Sequence, residues 1–314
     1  LTQLIAIDRN RKKVKLFKEL KVKYQATCYK ASDPSSPLFL ILRNFEISQL
    51  RASKISRDLK ALVDAEEFQV SEKGIQWLSE QGLIETAEIA KEIHFKVLKA
   101  KYQIVGQLAV DPFYEIMLKL ERRERLAPKQ VIQLIEEGRL FRHGKIATAY
   151  YRLEAIFYEK EYQRTGNRWN LPSASSNYRK ANEPENALKV TENVSWNKVQ
   201  ESDLKAALWV TRGAAFRDLG RLDEAENCAT QAMECQPESH QPYTLMGAVH
   251  YDRYEYSEGD KWFEMATERG ADDTDDEIER IVRMTKDKDK RREVVEYLLQ
   301  KDPDRYRWVI SYLK

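Results

Sequence analysis

The sequence predicts an all-α fold in which antiparallel helix pairs repeat, and three observations carry that reading. Only 11 Gly and 9 Pro occur in 314 residues, too little punctuation for an all-β chain. A 33% share of charged residues beside 42% hydrophobic suits helices with one buried stripe and ion-laced outer faces. Small and large side chains also recur at a 34-residue interval around Gly213 and Gly247. With that length and apolar share the chain can bury a core, which excludes wholesale disorder.

Residues 1–110 read as a basic, mainly helical region, a small N-terminal subdomain. Between 1 and 60 there are 14 basic residues against five acidic, so this end is positive although the whole chain is only +2. Residues 13–30 alternate in places (Val14, Leu16; Leu20, Val22, Tyr24), which fits strands as well as a basic amphipathic helix; composition favours the helix. Asp33-Pro34-Ser35-Ser36-Pro37 is a breaker, and apolar residues at three-to-four spacing predict helices over 50–65, 74–81, 86–101, 112–125 and 128–137.

Residues 201–271 carry the repeat. Trp209-x3-Gly213-x2-Phe216 aligns with Tyr243-x3-Gly247-x3-Tyr251, and Ala225, Ala229, Ala232 and Pro237 fall opposite Gly259, Phe263, Ala266 and Ala271. Two antiparallel helices that cross closely need small residues such as Gly213 and Ala225 at the crossing, with Trp209 and Phe216 filling the space beside it. Gly220 permits the turn and Pro237 ends the unit.

Over residues 204–271 this pattern resembles the tetratricopeptide repeat family, and Gly220-Arg221-Leu222-Asp223-Glu224-Ala225 is similar to that family's inter-helix turn. The second repeat departs from it, with Gly259 in place of the usual Ala and no closing Pro. The resemblance implies an α-solenoid whose first helices line a concave groove for a partner protein. On this sequence that lining becomes Ala207, Val210, Thr211, Ala214, Arg217 and Asp218, then Gln241, Thr244, Leu245, Ala248, Asp252 and Arg253. The Lys/Asn/Arg clamp with which family members hold a C-terminal carboxylate is missing, so the implied partner offers an internal peptide, helix or loop.

Around these units, residues 111–200 read as degenerate helical repeats. Gly144-Lys145-Ile146-Ala147-Thr148-Ala149 mimics the 220–225 turn, and Glu185-Asn186-Ala187-Leu188 followed by Val194 resembles a second helix. Residues 165–167 and 171–177 read as a loop with a helix start that interrupts the stack. Residues 272–314 read as a terminal cap, with helices over 291–299 and 306–313 split by Lys301-Asp302-Pro303-Asp304. The acidic run Asp272, Asp273, Asp275, Asp276, Glu277 and Glu279 lacks the form of a calcium loop and reads as a solvated loop or a helix N-terminus.

No phosphate-binding glycine loop, zinc spacing or nucleophile elbow occurs, and the four histidines lie far apart, so neither an enzyme nor a cofactor is expected. The aromatic set Tyr150, Tyr151, Phe157, Tyr158 and Tyr162 is expected to pack in the core. Three scattered cysteines make no disulfide framework and predict a reducing, cytoplasmic setting; no apolar run approaches membrane-spanning length. Because the chain begins at Leu1, it reads as a processed product or a piece of something longer.

A rival function rests on residues 53–74. Ser53 to Ala65 resembles the recognition helix of winged-helix DNA-binding domains, and Phe68-Gln69-Val70-Ser71-Glu72-Lys73-Gly74 is similar to the strand and turn that follow it. That resemblance implies nucleic-acid contacts from Lys54, Ser56, Arg57 and Lys60. Three classes therefore stand open: a protein-protein interaction scaffold or adaptor, a nucleic-acid-binding regulator with a helical sensor, and a non-catalytic part of a larger enzyme. The opposite charge of residues 218–282, 18 acidic against five basic, leaves association of two copies open as well.

Overall fold

The computed structural model describes residues 71–80, 84–104, 110–140, 144–272 and 274–313. Among them the fold is all-α, as composition predicts, with no strand. The expectations placed on residues 13–30, 33–37 and 50–65, together with Cys28 and His143, lie outside the described residues. The chain divides into two compact units, Leu1–Glu121 and Arg122–Lys314.

In the first unit, α1 (Glu72–Glu80), α2 (Ile84–Lys101) and α3 (Val110–Glu121) are described. Residues 71–74, which the winged-helix resemblance put in the strand-and-turn segment 68–74, instead open α1, the helix that spacing predicts over 74–81. The Ser71 hydroxyl accepts the Gly74 N–H at 3.1 Å, the standard way for Ser to satisfy an orphan first-turn donor. Helix α2 buries Ala87, Ala90, Ile93 and Leu98 at helical spacing. It meets α3 through His94 Nδ1, 2.9 Å from the Tyr114 hydroxyl, and through Tyr102, whose hydroxyl donates to Glu121 at 2.8 Å.

The second unit begins with α4 (Pro128–Glu136) and α5 (Lys145–Thr165). Helix α5 stops at Gly166, which adopts φ 69°, the left-handed conformation that glycine takes without steric cost. Residues 171–177, read with 165–167 as a loop with a helix start, lie wholly inside α6 (Asn170–Lys180), so the loop part of that reading ends before Asn170. Pro172 sits in the first turn, where no intrahelical N–H is required of it, and Ala174 and Ser175 are fully buried because the neighbouring helices come close. Helix α7 (Pro184–Glu192) follows, then a short 3-10 turn at Trp196–Lys198.

The repeat region forms α8 (Ser202–Asp218), α9 (Leu222–Cys235), α10 (His240–Asp252) and α11 (Tyr256–Glu268). Helix ends 218 and 252, and helix starts 222 and 256, keep the 34-residue interval. The packing explains the small residues. A Cβ on Gly213 would stand 2.7 Å from Leu245 Cδ2 and 2.8 Å from Cys228 Cβ, and one on Gly259 would stand 2.4 Å from Tyr251 Cδ2. Nothing larger than glycine fits these crossings without moving its neighbours. The turn positions match too: Gly220 at φ 74° is answered by Tyr254 at φ 66°. Trp209 packs on the cluster of Ala225, Cys228 and Ala229 and stacks on Trp196 with ring centroids 3.8 Å apart. Tyr243 packs against Ala266 and Ala271 beside Met233 and Trp262, so each large residue is seated against the second helix of its own pair.

Successive helices from α5 to α11 pack on one another, and the first helices α6, α8 and α10 also touch in series. In the C-terminal segment the acidic run resolves as a helix N-terminus, one of the two alternatives the sequence left open. Residues 274–284 form α12 (Thr274–Met284), whose first turn holds Asp275, Asp276 and Glu277 where the helix dipole favours acids. Residues 307–313 form a 3-10 helix rather than an α-helix, beyond α13 (Lys288–Lys301). Helix α13 starts on Asp287, whose carboxylate accepts the Asp289 and Lys290 N–H groups. Ile278, Ile281, Val282, Val294, Val295 and Leu298 bury this pair against Tyr251, Tyr256 and Phe263.

Candidate functional site

The first-helix face of α8 and α10 borders an open cavity of about 320 Å³, lined in part by Val210, Ala214, Gln241, Thr244, Leu245 and Ala248. Helix periodicity places them there: 210 and 214, then 241, 244, 245 and 248, lie three or four residues apart and share one face. Five of these six belong to the expected partner-binding set, and Ala248 was expected beside them.

The remaining expected residues behave differently. Thr211 turns back along its own helix, its hydroxyl donating to the Ala207 carbonyl at 3.0 Å, and it does not line the cavity. Arg253 reaches the opposite way, donating to Asp223 at 2.6 Å and Glu226 at 2.5 Å on α9. Arg217, expected on an open groove, lines the same cavity but has a side chain only 6% exposed. It pairs with Asp252 at 2.5 Å and with Glu277 on α12. The physical reason is burial: a guanidinium withdrawn from water must have its charge and donors answered locally.

These pairs belong to a network of six. Arg179 at the end of α6 donates to Asp218 of α8 at 2.7 Å, repeating the reach of Arg217 from α8 to Asp252 of α10. Arg280 on α12 closes it, 2.8 Å from Glu277 and 3.7 Å from Asp218. Three arginines thus meet three carboxylates across four helices. Burial works against the Arg217 charge, yet Asp252 and Glu277 hold its pKa above the ordinary value. Burial likewise opposes the Glu277 charge, but Arg217 and Arg280 bring its pKa down to about 2. The network also borders a second cavity of about 460 Å³ at the far ends of α8 and α10, lined by Asp218, Asp252, Tyr254, Tyr256 and Met284.

Sequence reasoning missed Ser176, Lys180 and His240, which complete the first cavity, and Arg179, Glu277 and Arg280, which frame it. The available signal was Pro172: read as a first-turn proline, it would have made 170–180 a first helix and exposed the Arg179/Arg217 equivalence. Lys54, Ser56, Arg57 and Lys60 lie outside the described residues.

Other expectations resolve locally. Tyr150, Tyr151, Phe157, Tyr158 and Tyr162 are half-buried along α5, with the Arg125 guanidinium 3.5 Å from the Phe157 ring centroid. His250 Nδ1 stands 2.6 Å from Glu255. Among the described residues no group of His, Cys, Asp and Glu is placed to hold a metal ion, Cys228 and Cys235 are free thiols, and no helix is long and apolar enough to cross a membrane. No protein-family model matches the chain, and no curated protein matches it.

Proposed function

We propose that this chain is a non-catalytic protein-protein interaction scaffold of the tetratricopeptide type, capturing a segment of another protein on the first-helix face of α8 and α10. The cavity carries the reading: a concave surface where apolar Val210, Ala214, Leu245 and Ala248 are framed by polar and charged side chains offers both contact area and orienting groups to a partner segment. The 34-residue register of the helix ends and the glycine crossings support the repeat assignment. Recognition here differs from the sequence expectation, because Arg217, Asp218 and Asp252 are engaged with one another's neighbours in the ion network and leave the partner a shorter face.

The test is Val210→Trp, which fills the cavity from a half-buried position and replaces no member of the network. Partners captured by the intact chain are expected to be lost from the variant at unchanged thermal stability. An identical partner set on both proteins removes the groove reading.

A further inference from the structure

The ends of the three first helices differ in charge. Helices α8 and α10 end on Asp218 and Asp252, and each receives an arginine from the first helix before it. Helix α6 ends on Lys180, the opposite sign at the same place. In the network, Arg179, Arg217 and Arg280 balance Asp218, Asp252 and Glu277, so the six groups cancel. Lys180 is left over. It lines the same cavity, and among the described residues no carboxylate lies within ion-pairing distance of it; its contact is the Tyr151 ring, 5.3 Å away. Lys180 stands exposed at the helix end, where desolvation by the cavity wall and the neighbouring Arg179 push its pKa down. Beside it the cavity floor is apolar and small, built from Val210, Ala214, Leu245 and Ala248.

We propose that this cavity accepts one acidic side chain, flanked by a small apolar residue, from an internal segment of a partner protein, with Lys180 as its counter-ion. The inference rests on the scaffold reading and specifies what the scaffold selects. Burying a partner's carboxylate without a cation is strongly unfavourable, and Lys180 is the lining cation whose charge is not already answered. One uncommitted ammonium matches one side-chain carboxylate, while the arginines stay engaged with their own acids.

The experiment selects randomised dodecapeptides, displayed through their C-termini so that no terminal carboxylate is free, on the intact chain, on Lys180→Gln and on Val210→Trp. Wild type is expected to enrich peptides with Asp or Glu at a fixed position beside a small apolar residue. Lys180→Gln, a change at an exposed helix end, is expected to lose that preference and to bind the best wild-type peptide roughly tenfold more weakly. A wild-type consensus without an acid, or the same acidic consensus on Lys180→Gln, overturns the proposal while the groove stands, provided Val210→Trp abolishes enrichment. Enrichment that survives Val210→Trp, or no enrichment on wild type, removes the groove reading and this inference together.

Discussion

The pairs α8/α9 and α10/α11 are joined through the absence of side chains, whereas α12/α13 is joined through their presence. At Gly213, Gly247 and Gly259 the helices approach until a single added carbon would overlap Leu245, Phe263 or Tyr251. At α12 the contact is a broad apolar cluster plus the ion network, and Asp260 of α11 ties down α13 by accepting from Tyr297 at 2.5 Å and Lys301 at 2.7 Å. The first kind of contact is specific by shape and tolerates no enlargement. The second is specific by charge and tolerates no unpaired member.

The largest expected effect breaks the charged side. Arg217→Ala leaves Asp252 and Glu277 without their shared cation; their side chains keep 29% and 22% exposure, which tempers the loss. Urea unfolding should show about 3 kcal/mol of destabilisation with an unchanged slope. A loss below about 1 kcal/mol would mean that the network is ornamental.

Acid titration probes the same network. The folded pKa of Glu277, about 2, lies below its ordinary 4.5, so its contribution is complete above the ordinary value and disappears as pH falls toward the folded one. Wild type should lose stability between about pH 4.5 and about 2 more steeply than Glu277→Gln; parallel profiles would show that another carboxylate governs acid unfolding.

On the shape side, Gly259→Ala places a carbon 2.4 Å from Tyr251 Cδ2 and 3.0 Å from the Gly247 carbonyl, a backbone atom that cannot step aside. Overpacking outweighs alanine's better helix propensity, for a net cost of about 1–2 kcal/mol in thermal unfolding. Stabilisation instead would remove the close crossing. Gly220→Ala tests the turn alone: a Cβ there meets nothing within 4 Å, so the cost of about 1 kcal/mol comes purely from φ 74°. The smallest effect belongs to Glu224→Ala. It deletes an exposed pair with Arg221, both side chains about half exposed, and should change stability by less than about 0.5 kcal/mol.

How far the site was legible follows the same division. Val210, Ala214, Thr244 and Leu245 were placed through the family resemblance, and they share a face because helix periodicity turns their sequence distances into adjacency. Helix α6 escaped because Pro172 and three serines mimic a loop until the neighbouring helices show what buries Ala174 and Ser175. Helix α12 stood only as one of two alternatives because its four acids outweigh Ile278, Ile281 and Val282 until α10, α11 and α13 supply the apolar surface they cover.

By itself the sequence determined the helical composition, the 34-residue interval and the need for small residues at the crossings, since each depends on groups within a few turns of one another. Only the tertiary structure decided where the charges go. Arg217 finds Asp252 and Glu277 at sequence separations of 35 and 60 residues, and Arg179 finds Asp218 at 39. No local rule selects one carboxylate among 51 acidic residues; burial beside a particular helix does, because a desolvated charge takes whichever opposite charge packing brings within reach.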